Sequence, residues 1–336
     1  MKRIGAASWG VLFVLAATLA ADPALAVRIK LATKAPENFK SAGIVKKMAA
    51  EIEQKTNGTV RCKIYYGGVK GTGRDLLLKM KSGEIHGGEF TAGEASSVVN
   101  DLQIMSIPFL LKNYEEVDFV LERMRPYFEK RLQERGYVVL GWLEVGFGFL
   151  MSVQPIATRS DLLGKKVWIP QGDRIGQAAF EALGVPPIPM TISDVMVALQ
   201  TGQIDTVGNS LVGAIALQWH TRIKHITDVP LLYIYGLLMI TQQTYDEIPP
   251  EYRKTVSTIM DRTCRDMTED IRKNNGESRQ ALMKEGILFL PASPAMVEEL
   301  EQTIAGVREQ LAGKEYSVEA LQRVRELLKE FRGREQ

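Results

Sequence analysis

Two stretches of the chain align without a gap: Asp75–Phe90, DLLLKMKSGEIHGGEF, and Asp194–Asn209, DVMVALQTGQIDTVGN. Each opens on Asp and continues with apolar residues at helical spacing. Each then reaches a glycine, Gly83 or Gly202, that fits a helix C-terminus. Glu84-Ile85 and Gln203-Ile204 follow as the head of a strand. One helix–strand unit is thus written twice.

The flanking residues extend the repeat. Before the first copy come a strand over 27–33, a helix over about 41–55 and a strand over 60–66. In that helix Val45, Met48, Ala49 and Ile52 form one apolar stripe. Before the second copy come a strand holding Trp168, a helix over about 174–183 and a short strand in VPPIPM (185–190). Both halves read β-α-β-α-β, a pattern that predicts mainly parallel sheets with helices on both faces. The expected fold is therefore α/β and two-lobed, of the periplasmic binding protein type, with a ligand cleft between the lobes and long C-terminal helices. GYVVLGW (136–142), leading into LEVGFGFLMS (143–152), reads as the crossing from the first lobe to the second. A return crossing is expected within 231–240, LLYIYGLLMI, an apolar run of central-strand length. Pro249-Pro250 opens a long helix with Val256, Ile259, Met260 and Met267 on one side, and a last helix follows Ser317.

The first 26 residues fit a cleavable signal peptide: Lys2 and Arg3, an apolar stretch from Trp9 to Ala21, then Ala24-Leu25-Ala26 as a small-x-small cut. The expected organisation is signal peptide 1–26, lobe I 27–149, lobe II 150–238, and a return segment with long helices over 239–336. Of the 336 residues, 45% are hydrophobic and 24% charged, and the formal net charge is +2, which argues against an electrostatic nucleic-acid binder. Two cysteines, Cys62 and Cys264, make no disulfide framework, and Cys62 reads as a buried structural thiol on a strand. Asn57-Gly58-Thr59 matches a glycosylation sequon, but turn chemistry between helix and strand accounts for it.

Ligands of open α/β sheets sit beyond the carboxyl ends of the strands. That rule selects 33–38 and Phe90-Thr91 in the first half, and 168–173 and Asn209-Ser210 in the second. Trp168 is read as a pocket wall, core filling being the alternative. Phe147, Gly148 and Phe149 lie on the crossing, where alternation turns at most one of the two rings into the cleft. Gln171 is a candidate ligand contact. Asp173 fits an N-cap of the next helix, with ligand contact as the alternative. Trp219 fits core packing, with a place beside the pocket as the alternative. Asn209 has the fullest polar case, from its strand-end position and its repeat equivalence to Phe90.

An ordered set of segments carries a family likeness: IKLAT (29–33), MAAEIEQKTNGTVRCKIYYGG (48–68), SIPFLLKNYEEV (106–117), DLLGKKVWIP (161–170), ALGVPPIPM (182–190), VALQTGQIDTVGN (197–209) and IPPEYRKTV (248–256). The chain resembles the solute-binding proteins of TRAP transporters, of the dicarboxylate-receptor type. The resemblance implies a soluble periplasmic receptor that closes over a small solute and delivers it to the subunits of a TRAP membrane permease driven by an ion gradient. It also implies a ligand-facing Asn at Asn209. Where the family sets a carboxylate-clamping Arg this chain has Trp168, and where a second family Arg often stands it has Gly148. Both departures point to an apolar or weakly polar solute, with a carboxylate held without Arg as the alternative. KVWIPQGD, ALQWH (216–220) and IHGGEFT (85–91) resemble a divergent subgroup, some of whose members are similar to receptors encoded beside periplasmic TPR-repeat proteins, which implies such a protein as a further partner.

Enzyme chemistry finds little support. His86, His220 and His225 show no metal-ligand spacing, and there is no nucleophile elbow. GGVKGTGRD (67–75) lacks the Gly-Lys-Ser/Thr ending of a phosphate-binding loop. No cofactor or metal is expected.

Overall fold

The computed structural model describes residues 26–334 except 36, 38 and 39; the proposed signal peptide and the candidate Asn38 therefore lie outside the described residues, the peptide but for Ala26. The first half runs β1 (Val27–Ala32), α1 (Lys40–Lys55), β2 (Val60–Tyr65), α2 (Gly73–Lys81), β3 (Gly87–Thr91), α3 (Ala92–Ala95) and α4 (Tyr114–Gln133). Then come β4 (Tyr137–Ser152), α5 (Arg159–Leu162), β5 (Trp168–Pro170), α6 (Arg174–Ala182), β6 (Ile188–Met190), α7 (Val195–Thr201), β7 (Thr206–Asn209) and α8 (Leu211–Ala216). The chain finishes with β8 (His225–Thr241), α9 (Gln242–Glu247), α10 (Pro250–Lys284), β9 (Leu288–Leu290), α11 (Pro294–Leu311) and α12 (Val318–Arg334).

The repeat is present in three dimensions. β1-α1-β2-α2-β3 and β5-α6-β6-α7-β7 are the two β-α-β-α-β halves. β1 pairs in parallel with β2 and β3, and β5 pairs in parallel with β6. A parallel bridge from Val167 to Thr206 joins that pair to β7. Each repeat then meets one long crossing strand in antiparallel register: β3 pairs with β8, and β7 with β4. Gly202 sits in the left-handed region at φ 71° and ends α7, as the repeat requires. Asn57 and Gly58 also have positive φ, which is the turn reading of the sequon.

β4 and β8 run side by side from one half to the other, Tyr137 opposite Thr241 and Ser152 opposite His225. Three register shifts, at Val139/Gly141, Glu144/Gly146 and Gly148/Leu150, bend the pair along its course. The return crossing is longer than the expected ten residues because β8 starts at His225, where it also pairs with β9.

α10 ties the halves from behind. Val256, Ile259, Met260 and Met267 join a cluster with Ile29, Ile52 and Val60 of the first half. Farther along, Leu282 joins the cluster of Leu199, Ile204, Val207 and Trp219 in the second. A 35-residue helix with this stripe reaches both cores because it rises about 50 Å. α12 buries Leu321, Val324 and Leu328 as its periodicity predicts, but Val318 is exposed at the first turn. α11, absent from the expected elements, packs on α6 while α12 packs on α4.

Cys62 and Cys264 are both free. Cys264 is buried, whereas Cys62 is only partly buried at the edge strand β2, which corrects the expectation of a buried thiol there. Burial still pushes the Cys62 thiol up to about 12.

Candidate functional site

The carboxyl ends of both parallel sets point toward the crossing strands. Thr91, at the end of β3, lies opposite Gly236, and Gly236 lies opposite Leu143. Asn209, at the end of β7, lies opposite Phe149 on the same strand β4. Six residue steps of β4, from Leu143 to Phe149, thus separate the two strand ends, a span of about 20 Å at ordinary strand rise. The floor between them is made by Glu144–Phe149 and the facing Leu232–Tyr235, with Phe147 opposite Tyr233 and Gly148 opposite Leu232.

On the first side the strand ends carry charge. Thr33 donates its hydroxyl to Glu89 Oε2 at 2.6 Å. Glu89 is partly buried, and the packing around its carboxyl raises it above the usual range against the lowering effect of the Thr33 bond. Lys34 pairs with Glu94. Glu94 also accepts the Thr91 backbone N–H at 3.0 Å, while its own backbone N–H donates to Thr91 Oγ1 at 3.2 Å, which makes a capping box at the start of α3. Thr91 therefore holds a local turn as well as ending the strand. The T-x-x-E spacing signalled that box in the sequence; the Lys34–Glu94 pair had no such signal, since the two lie 60 residues apart.

On the second side Asp173 and Arg174 follow the end of β5, and Asp194 follows β6. Asn209 is 8% exposed, and its Oδ1 accepts the Ser210 N–H at 2.8 Å. Ser210 caps α8 by accepting from Gly213 at 3.0 Å. Gln171 is exposed, its backbone N–H bonded to Met190 O. Asp173 caps α6, accepting from Gly176 at 2.8 Å. Burial raises its carboxyl despite those amide bonds.

Trp168 is placed in the core of the second half and not on an open wall. It is 4% exposed, its ring meets Trp219 edge to face at 5.3 Å between centroids, and its Nε1 donates to Met190 O at 3.1 Å. The cause is β5's register. The parallel bridge through Val167 turns the next side chain toward α8 and the 3₁₀ turn of Trp219–Thr221. Trp219 is likewise buried, as core packing requires. Phe90 is buried among the first half's residues, and Phe147 packs between Tyr114 and Tyr233. Phe149 is partly buried and touches the cores of both halves. Thr91 and Asn209 thus stand at opposite ends of a stretch of the crossing, Gly148 and Phe149 lying at the Asn209 end, while Trp168, Trp219 and Phe90 serve the cores beneath it.

A polar cluster behind the floor escaped the sequence reading. Glu144 is buried and bound to Arg272 of α10, from Nε at 2.9 Å. Arg272 also grips Asp118 of α4 with two bonds of 2.8 and 2.6 Å, and its guanidinium lies over the Tyr114 ring at 4.4 Å. Beside it, Asn275 donates to Val145 O at 3.0 Å and accepts the Val212 N–H at 3.2 Å. Gly146, at φ 100°, leaves room for this: a Cβ there would lie 2.5 Å from Asn275 Nδ2. These contacts pin the crossing strand to α10, α4 and α8. Among the described residues no His, Cys, Asp or Glu group could hold a metal ion, and no helix is long and apolar enough to cross a membrane.

The family described as "Bacterial extracellular solute-binding protein, family 7" (DctP) matches residues 31–314. The chain is 24% identical over 254 residues to a solute-binding protein of Chromohalobacter salexigens, covering 75% of this chain and 72% of that one. It is 25% identical over 253 residues to the C4-dicarboxylate-binding periplasmic protein DctP of Rhodobacter capsulatus, covering 75% of each. Its fold superposes on the sugar acid binding protein DctPAm of Advenella mimigardefordensis, in complex with galactonate, with a TM-score of 0.84 at 18% identity, covering 91% of this chain and 98% of that one. With the match spanning both repeats and the crossing between them, the chain belongs to the DctP family of bacterial extracellular solute-binding proteins.

Proposed function

We propose that the protein captures a small, apolar or weakly polar organic solute in the cleft over the β4–β8 crossing and hands it to the permease of a TRAP-type transporter. Its family consists of periplasmic receptors, not enzymes, that deliver small solutes to a membrane permease. The observation that carries the solute class is Trp168. It stands where the resemblance sets a carboxylate clamp, and its indole is locked between Trp219 and Met190 O. The second half therefore offers a solute Asn209 and Gln171, with no guanidinium at position 168 itself. From the first half Thr91 and Lys34, the latter paired with Glu94, are assigned to the same solute, with Gly148 and Phe149 on the crossing strand. A solute touching both sides favours closure by its differential affinity for the closed state. Residues 27–149 and 150–238 are assigned as the lobes that close and 239–336 as the segment that braces them, with 1–26 as a cleavable signal peptide.

A thermal-shift panel of apolar and weakly polar solutes against dicarboxylates and sugar acids tests the reading. Shifts with the first group support it. Tight dicarboxylate binding with no apolar hit overturns it. A second reading has support in Lys34, a cation at the end of β1, and in the acids named with the Rhodobacter and Advenella proteins: a carboxylate held from the first lobe without Arg. A TPR-repeat protein is proposed as a further partner, on the likeness of KVWIPQGD, ALQWH and IHGGEFT. Co-purification from the native periplasm is the check, and its absence there counts against that partner.

A further inference from the structure

A second cavity, of about 550 Å³, opens between α11 and α12 with Phe109 and Leu110 beside it. Its walls carry four cationic side chains: Arg308 from α11, and Arg325, Lys329 and Arg332 from α12. The last three stand at i, i+4 and i+7, so they share one helical face and repel one another.

Their neutralisation is incomplete. Arg325 pairs with Glu309, and Arg332 with Glu116 at 2.7 Å. Lys329 has no ion pair or hydrogen bond to a described residue. Arg308 reaches Glu309 Oε1 only at 3.6 Å. Its Nε is sealed from solvent and has no hydrogen-bond acceptor. A buried donor without an acceptor costs free energy, so the Arg308 guanidinium is not fully satisfied by Glu309.

The cavity is also pre-set for a ligand. Arg332 is held by Glu116 and by a bond to Leu110 O at 3.2 Å. The backbone at Arg308 is fixed by the Tyr316 hydroxyl, which donates to Arg308 O at 2.7 Å. None of the cavity's residues belongs to the strand ends around the crossing.

We infer that this cavity is a second binding site, for a phosphate-type oxyanion. Planar guanidinium groups and an ammonium suit its several acceptor oxygens. The oxyanion comes either as a free phosphate compound or as the headgroup of an anionic phospholipid. The site stands apart from the solute cleft, so failure of either assignment leaves the other intact.

The test uses the chain from Val27 onward and two probes: inorganic phosphate by titration calorimetry at constant ionic strength, and phosphatidylglycerol vesicles by co-sedimentation. Saturable binding of one phosphate per chain, weakened about tenfold or more by Arg308→Gln with Lys329→Gln, is the expected result. Vesicle binding lost in the same variant, with no heat from phosphate, assigns the headgroup as the source. Lys329→Gln alone changes an exposed side chain and is expected to fold, so it serves if the double variant does not; it should weaken the same binding several-fold. No saturable binding to either probe, or binding that these substitutions leave unchanged, overturns the proposal.

Discussion

Trp168 and Trp219 meet edge to face, 5.3 Å between ring centroids, in the core of the second lobe. Trp168 therefore packs as a core side chain. Trp168→Ala should cost about 3–5 kcal/mol of stability, read from urea unfolding. Trp168→Arg should unfold that lobe without conferring acid binding. A well-folded Trp168→Arg protein that binds dicarboxylates would show instead that the position is a ligand wall.

Glu144, buried behind the cleft floor, pairs with the half-buried Arg272. Arg272→Gln leaves the carboxylate unpaired and should destabilise by about 3–5 kcal/mol near neutral pH. The pH dependence follows from the raised folded-state value of Glu144, whose first cause is burial. Between the ordinary carboxylate range and that raised value the folded state binds more protons than the unfolded. This group's contribution therefore falls as pH rises through the window and is most favourable below it. Arg272→Gln removes a lowering influence and should widen the window upward. The loss measured at pH 8 should exceed that at pH 5, and equal losses would contradict the assignment.

Gly146 gives the crossing its close fit against Asn275. Gly146→Ala combines a positive-φ strain with a Cβ 2.5 Å from Asn275 Nδ2 and 3.0 Å from the Tyr114 hydroxyl. A loss of about 1–3 kcal/mol is expected in thermal or urea unfolding. Solute affinity should fall with it, because the crossing strand carries the cleft floor.

Lys34 separates the two readings of the solute. Lys34→Gln should leave an apolar solute's affinity within about twofold and weaken a carboxylate about tenfold or more, by calorimetry on whichever ligand the thermal-shift panel selects. Asn209→Ala should weaken either class about tenfold, through loss of a donor at the second lobe's strand end.

Much of the fold was legible because its signals are local. The Asp75 and Asp194 repeats, the left-handed Gly202 and the stripe Val256–Met267 each lie within a few turns of chain, and each gave the element found. α11 was missed although its start at Ser293-Pro294 and its stripe of Met296, Leu300, Ile304 and Val307 are local signals of the same kind. The site was less legible. Strand-end logic selected Thr91 and Asn209 as candidates, but gave no account of Lys34–Glu94 or Glu144–Arg272, whose members are 60 and 128 residues apart.

By itself the sequence determined two β-α-β-α-β halves, two crossings and helices that brace them, since periodicity and turn chemistry act over short range. Only the tertiary structure decided where the key side chains face. The Val167 bridge turns Trp168 inward against Trp219, and the bulges of β4 set Glu144 before Arg272. Strand register and long-range pairing decide such placements, and no local pattern encodes them.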